Sequence, residues 1–175
     1  MMSDVARITP EDDVDRIVAQ WAVERPELQT EAMAVFGRVY RIARIVGDRQ
    51  EEAYGRFGIN RGEFDVLATL RRSGEPYALT PTALCASMML TSGGMTGRVD
   101  RLERRGLVRR SAHPSDRRAL VVGLTPAGRR LVDEAVGAGL AAQREVLERL
   151  PARSRAQLSA LLRDLLAAAE GEADA

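Results

Sequence analysis

Arginine is the residue type that could do chemistry in this chain, and it is not spread evenly. Between Thr91 and Arg130 stand ten arginines (98, 101, 104, 105, 109, 110, 117, 118, 129 and 130) against three acids, Asp100, Glu103 and Asp116. That is a local balance of +7 in a chain whose formal net charge is +1. A basic block set into a near-neutral protein is the electrostatic footprint of a polyanion site. A charge run is more often a plain solvated face. Against that reading, this block coincides with a short helix, a small-residue surface and an Arg-tipped hairpin. Thr91, Ser92, Gly93, Thr96 and Gly97 lie among the arginines. Ser92 and Thr96 suit hydrogen bonds to base edges or phosphates, and Arg101 and Arg104 suit phosphates. A glycine inside a helix costs roughly 1 kcal/mol relative to alanine. Gly93 and Gly97 make sense there if the backbone must lie close to the floor of a major groove.

The elements that must position these groups follow from the same stretch. Thr91 or Ser92 supplies a hydroxyl N-cap. Met95, Val99 and Leu102 then fall at i, i+4 and i+7, one apolar stripe to bury. Gly106 follows Glu103-Arg104-Arg105, where a left-handed residue is expected to end the helix. Leu107 and Val108 open a strand, His113 to Asp116 makes a turn, and Ala119 to Leu124 returns as a second strand. Asp116, two residues before Arg118, is placed to hold one wing arginine while another points outward. Upstream, Ser73-Gly74-Glu75-Pro76 breaks the chain and Thr80-Pro81 caps a short helix to about Met88. A short helix, a turn, a reading helix and a hairpin are the parts of a winged helix-turn-helix.

The segment resembles the DNA-binding lobe of the MarR family of bacterial transcriptional regulators. The resemblance is carried by Leu79 to Leu84 (LTPTAL), Ser92 to Thr96 (SGGMT), Arg101-Leu102-Glu103 with Gly106-Leu107-Val108, Asp116-Arg117-Arg118, and Leu124 to Gly128 (LTPAG). It covers roughly Thr30 to the C-terminus and is strongest from Phe64 to Gly128. It implies a homodimer on a pseudo-palindromic operator in double-stranded DNA, acting as a repressor, with a wing-tip arginine in the minor groove. Arg118 matches that position and Arg117 is its neighbour; which of the two enters is open. Narrow, A·T-rich minor grooves draw arginine by their negative potential.

The chain also looks like the urate-responsive branch of that family, which has an extra N-terminal helix. The resemblance implies a ligand site for a small aromatic anion from Trp21, Asp65 and Arg98, with Arg110 on the first wing strand as a weaker fourth. By wheel position Arg98 sits about 60° from the inward stripe, so it borders the core and needs an anionic partner. Asp65 falls opposite Leu67, which points it towards solvent. A ligand that drew Arg98 or Asp65 would shift the reading helix, opposing DNA through a coupling of about 1–3 kcal/mol. The plainer reading makes Asp65 and Arg98 a structural ion pair and Trp21 a core residue.

The rest of the chain sets bounds. It has 175 residues, 45% apolar and 4% aromatic, with no lysine and one cysteine. The low aromatic share, with no β bias outside 107–125, favours a mainly α fold. With the hairpin of that stretch as a small β-hairpin wing, the apolar faces of the N- and C-terminal helices are expected to form a dimerisation bundle. The expected organisation is an extra N-terminal helix and arm (1–29), a dimerisation helix (30–60), the winged helix-turn-helix lobe (61–125) and C-terminal dimerisation helices (126–175). Thr9 is expected to cap the first helix, with Val14, Ile17, Val18 and Trp21 on one face. Further helices are expected over about Thr30–Tyr54, Arg61–Arg72, Thr125–Leu150 and Ser154–Ala169. The leucines of the last helix, Leu158, Leu161, Leu162, Leu165 and Leu166, ask for a partner. No run has membrane-spanning length and no secretory pattern opens the chain, so a cytoplasmic protein is expected. No metal, P-loop or dinucleotide motif is present and no cofactor is implied. His113, the only histidine, sits in the wing, so an enzyme is disfavoured. The alternatives are a winged-helix regulator or architectural protein without a ligand, and a redox sensor through Cys85.

Overall fold

The computed structural model describes residues 10–89, 93–113 and 119–171. The chain divides into two compact units, residues 1–45 and 46–175, with the division inside the second helix.

The first unit holds α1 (Asp13–Glu24) and the start of α2 (Glu31–Gly55). Asp12, not Thr9, begins α1. Its carboxylate accepts the N–H groups of Val14 at 2.8 Å and Asp15 at 3.0 Å, and the Asp15 carboxylate accepts the N–H of Asp12. This reciprocal box satisfies donors that a helix start otherwise leaves orphaned. Arg38 on α2 donates to Asp12 at 2.9 Å and Asp15 at 2.6 Å, and Arg41 pairs with Asp13. Val14 packs over Gly37, where an added Cβ would meet its Cγ1 at 3.0 Å. Those hydrogen bonds, together with Arg38, hold the Asp12 and Asp15 carboxylates below the ordinary range.

The second unit carries the expected lobe. Asn60 caps α3 (Arg61–Arg72): its side chain accepts the N–H of Glu63 at 2.8 Å, while Glu63 accepts the N–H of Asn60 at 3.2 Å. Thr80 caps α4 (Pro81–Ser87), accepting from Ala83 at 3.2 Å. α5 is Met95–Arg104, and it ends as the sequence requires. Gly106 has φ +68°, the Gly106 N–H donates to Glu103 and the Leu107 N–H donates to Leu102. That is a Schellman closure, and glycine is the residue that adopts it without strain.

The wing strands β2 (Val108–Ala112) and β3 (Leu120–Leu124) pair antiparallel, Val108 opposite Leu124 and Ala112 opposite Leu120. A third strand, β1 (Ala78–Leu79), pairs with the other edge of β3, Ala78 opposite Gly123. The expected two-stranded hairpin is therefore one side of a three-stranded sheet, ordered β1-β3-β2. Two residues give too short a pattern to read as a strand; β1 exists because β3 offers it an edge. Thr125 then caps α6 (Pro126–Leu147) by accepting the Gly128 N–H at 3.0 Å, and its hydroxyl donates to Gly106 at 2.7 Å. α7 runs Ala152–Gly171.

The core of this unit joins Val66, Leu67 and Leu70 of α3 to Leu84, to the α5 stripe of Met95, Val99 and Leu102, and to Val108, Val122, Val132 and Ala135. Cys85 packs against its edge. Among the described residues no helix is long and apolar enough to cross a membrane, and no cluster of potential metal ligands is found.

Candidate DNA interface and effector cavity

The reading helix starts later than its hydroxyls suggested. Its N-cap is Gly94, in the left-handed region at φ 72°, with no side-chain cap. Gly93 thus lies in an exposed turn and not on the helix, because a left-handed Gly94 stops the helix from extending backwards. Thr91 and Ser92 lie outside the described residues, as do Asp116, Arg117 and Arg118 at the wing tip. Thr96 is exposed on α5. Gly97 is not explained by crowding: an added Cβ would meet just Arg101 Nη1, at 3.6 Å, among the described residues.

Three arginines tie α5 to its surroundings. Arg101 donates from Nε to Glu63 at 2.7 Å, and that carboxylate is 5% exposed. Arg105 donates to the carbonyl oxygens of Gly58 at 2.6 Å and Phe57 at 3.3 Å. Arg110 on β2 reaches back to α5: its Nη2 donates to Asp100 at 2.5 Å, its Nη1 to Glu103, and its backbone N–H to Glu103 at 2.9 Å. Asp100 first, then Glu103, makes the guanidinium still harder to deprotonate. Arg110, expected as a weaker ligand contact, has its fork on two carboxylates of α5. Arg98 lies across α3 at Gly62, where an added Cβ would meet its Nε at 2.5 Å. Arg104 is exposed, with a long contact to the Asp100 carbonyl at 3.4 Å.

Behind the lobe, α3, α6 and the end of α2 enclose a cavity of about 610 Å³, a usual size for a small-molecule site. Tyr54 and Phe64 stack in its wall with ring centroids 4.0 Å apart, planes 12° from parallel. Val132, Val136 and Leu140 of α6 supply the apolar side. Arg61, Asp65, Arg71 and Arg72 are the charged groups of its lining, a positive excess, and Arg71 pairs with Asp133 at 2.7 Å. Asp65 is 6% exposed, not solvent-facing as the wheel suggested. Its Oδ1 accepts the N–H of Met89 at 3.4 Å, and Arg72 donates to the Ser87 carbonyl and to Thr69 at 2.9 Å. Two cavity-lining residues of α3 therefore hold the backbone at the end of α4. Burial raises the Tyr54 phenol above its ordinary 10.0, so it stays an O–H donor at neutral pH.

Of the four expected ligand residues, Asp65 lines this cavity. Arg98, which passes over Gly62, and Arg110, which is bonded to α5, are not part of its lining. Trp21 belongs to α1 of the first unit and is 41% exposed. The sequence reading missed Glu63, Arg72 and the Tyr54–Phe64 pair. Asn60 with Glu63 three residues on is a legible capping box; the stacking of Tyr54 on Phe64 crosses two helices and carries no local signal.

Comparison with known proteins agrees with this geometry. A family model described as MarR family matches residues 57–119. The transcriptional regulator PecS of Dickeya dadantii is 35% identical over 150 residues, 86% of this chain and 90% of its own. CouR of Rhodococcus jostii, solved with p-coumaroyl-CoA bound, is 29% identical, with 78% of this chain and 90% of that one aligned at a TM-score of 0.63. Sco3205 of Streptomyces coelicolor, solved in complex with DNA, shares the fold at 24% identity and a TM-score of 0.69, over 81% of this chain and 89% of its own. With its winged helix-turn-helix and 35% identity to PecS over most of both chains, the protein belongs to the MarR family of DNA-binding transcriptional regulators, which are not enzymes.

Proposed function

We propose that the protein is a ligand-released repressor that binds a pseudo-palindromic operator as a homodimer. In this reading Thr96, Arg104 and the turn at Gly93, with Thr91 and Ser92 beside it, meet the groove. The wing brings Arg117 or Arg118 to the flanking minor groove, oriented by Asp116. The dimer is supported by α7, of which no described residue is buried; Leu161 is 66% exposed and Leu166 57%. A helix with an apolar stripe and no covering surface is unstable in water without a partner.

The observation that carries the ligand half is that Asp65 and Arg72 each face the cavity and each hold the Ser87–Met89 turn. A small aromatic anion would stack on Phe64, which Tyr54 backs, draw Arg72 and its neighbouring arginines, and loosen the turn that sets the start of α5. The 3.4 Å contact at Asp65 is already long, so a small displacement breaks it. Urate is the first candidate. The p-coumaroyl-CoA bound to CouR makes an aromatic acyl thioester the second.

The test is a fluorescence-anisotropy titration of the duplex upstream of the protein's own gene, at two salt concentrations, with and without urate. Binding that weakens with salt and is released by urate supports both halves. Binding indifferent to urate and to aromatic acyl thioesters leaves a DNA reader whose cavity is structural.

A further inference from the structure

Glu63 is a buried acid of α3 bonded to an arginine of the reading helix. It is 5% exposed, and a buried carboxylate must be paired and hydrogen-bonded. Its Oε2 accepts the Asn60 N–H at 3.2 Å, closing the α3 cap, and its Oε1 accepts Arg101 Nε at 2.7 Å. Arg101 is the more exposed partner, 46% against 7% for the Glu63 side chain. The cap would be complete without a charge; a glutamine accepts the same N–H. What the charge adds is a hold on a recognition-helix arginine that would otherwise be a further exposed cation beside Arg104.

We propose that Glu63 is a specificity-determining positioning residue for DNA recognition: by binding Arg101 to α3 it withholds that cation from phosphate and fixes the pose of α5. The proposal rests on this lobe being the DNA-reading one, and it reverses the sequence-based expectation that Arg101 meets the backbone of DNA. Phosphate contacts are independent of sequence. A freed Arg101 would strengthen binding to any duplex, while a less constrained α5 would weaken the contacts that read bases. Holding Arg101 back trades total affinity for discrimination.

The two roles for Arg101 differ in salt dependence, since each neutralised phosphate adds about 0.9 to the slope of log K against log salt. The experiment measures that slope for the full-length protein on the upstream duplex and on a shuffled duplex of equal length. The unaltered chain is compared with Glu63→Gln and Arg101→Ala. We expect Arg101→Ala to keep the slope of the unaltered chain. We expect Glu63→Gln to steepen it by about one unit, to bind the shuffled duplex more tightly, and to narrow the ratio between the two duplexes several-fold. A slope lowered by about one unit in Arg101→Ala overturns the proposal, because Arg101 then contacts phosphate already. So does an unchanged slope and ratio in folded Glu63→Gln. If Glu63→Gln does not fold, Arg101→Ala decides alone. No salt-sensitive binding by the unaltered protein overturns the DNA-reading assignment itself, a result distinct from either slope outcome.

Discussion

Arg110 on the first wing strand grips Asp100 on the reading helix at 2.5 Å, and its other amino group takes Glu103 one turn further on. This fork ties the first wing strand to the helix that precedes it. Lysine at this position keeps the charge but loses the fork that spans two carboxylates. Arg110→Lys is expected to lower operator affinity about 3–10-fold, in the range of residues that act through an element and not by touching ligand. Its effect on binding of a small anion should be nil. A calorimetric titration in which Arg110→Lys abolishes anion binding with DNA affinity intact would return the residue to the ligand site.

Arg72 is expected to couple the cavity to DNA. Removing it frees the Ser87 carbonyl without any ligand present. Arg72→Ala should therefore weaken operator binding about 3–10-fold by itself, and should shrink the further release caused by the anion. Anisotropy titrations with and without anion check both numbers. Full release at unchanged starting affinity would detach Arg72 from the mechanism.

Two glycines on α6 should respond in opposite directions. An added Cβ at Gly128 would collide with the Leu107 carbonyl, a backbone atom that cannot step aside. At Gly137 it would meet nothing within 4 Å. Gly128→Ala is expected to destabilise by roughly 1–3 kcal/mol through overpacking. Gly137→Ala should stabilise by up to about 1 kcal/mol, the helix-propensity difference, if that face also stays open in the dimer. Thermal unfolding of the two variants, read as shifts in Tm of opposite sign, is the check.

Acid should loosen α1 late. The Asp12 and Asp15 carboxylates titrate below their ordinary 3.8, Asp12 chiefly because the Asp15 N–H bonds it and Asp15 because the Asp12 N–H does, with Arg38 adding to both. A carboxylate lowered on folding contributes stability that is present above its unfolded pKa and lost as pH falls through the folded one. Amide-exchange protection at Val14 and Asp15 should hold from neutrality to about pH 4 and fall below it. Loss of protection already above about pH 5 would mean that another group controls this helix start.

The exposed leucines of α7 should hold two copies together. Leu161→Arg with Leu162→Arg puts two charges into a face that would have to be dry in a dimer, at a cost far above that of a surface change. Light scattering should show a dimer for the unaltered chain and monomer for the double variant. A dimer that survives both substitutions places the interface elsewhere.

What the sequence determined by itself is what short-range chemistry controls. Thr80-Pro81 and Thr125-Pro126 announce α4 and α6, Gly106 ends α5, and the spacing of Met95, Val99 and Leu102 names the buried face. Each signal lies within four residues of the feature it specifies. The ten arginines, read with their neighbours, pointed to a polyanion surface. Tertiary structure decided how those arginines are used, because a guanidinium's partner is set by distance in space. Arg101 is taken by Glu63, 38 residues away, and Arg110 by Asp100 and Glu103 on another element. Asp65, which a helical wheel turns to water, is buried and accepts the Met89 N–H, 24 residues away; no pattern local to α3 encodes that contact. Charge and periodicity named the surface, and packing chose which charges face it.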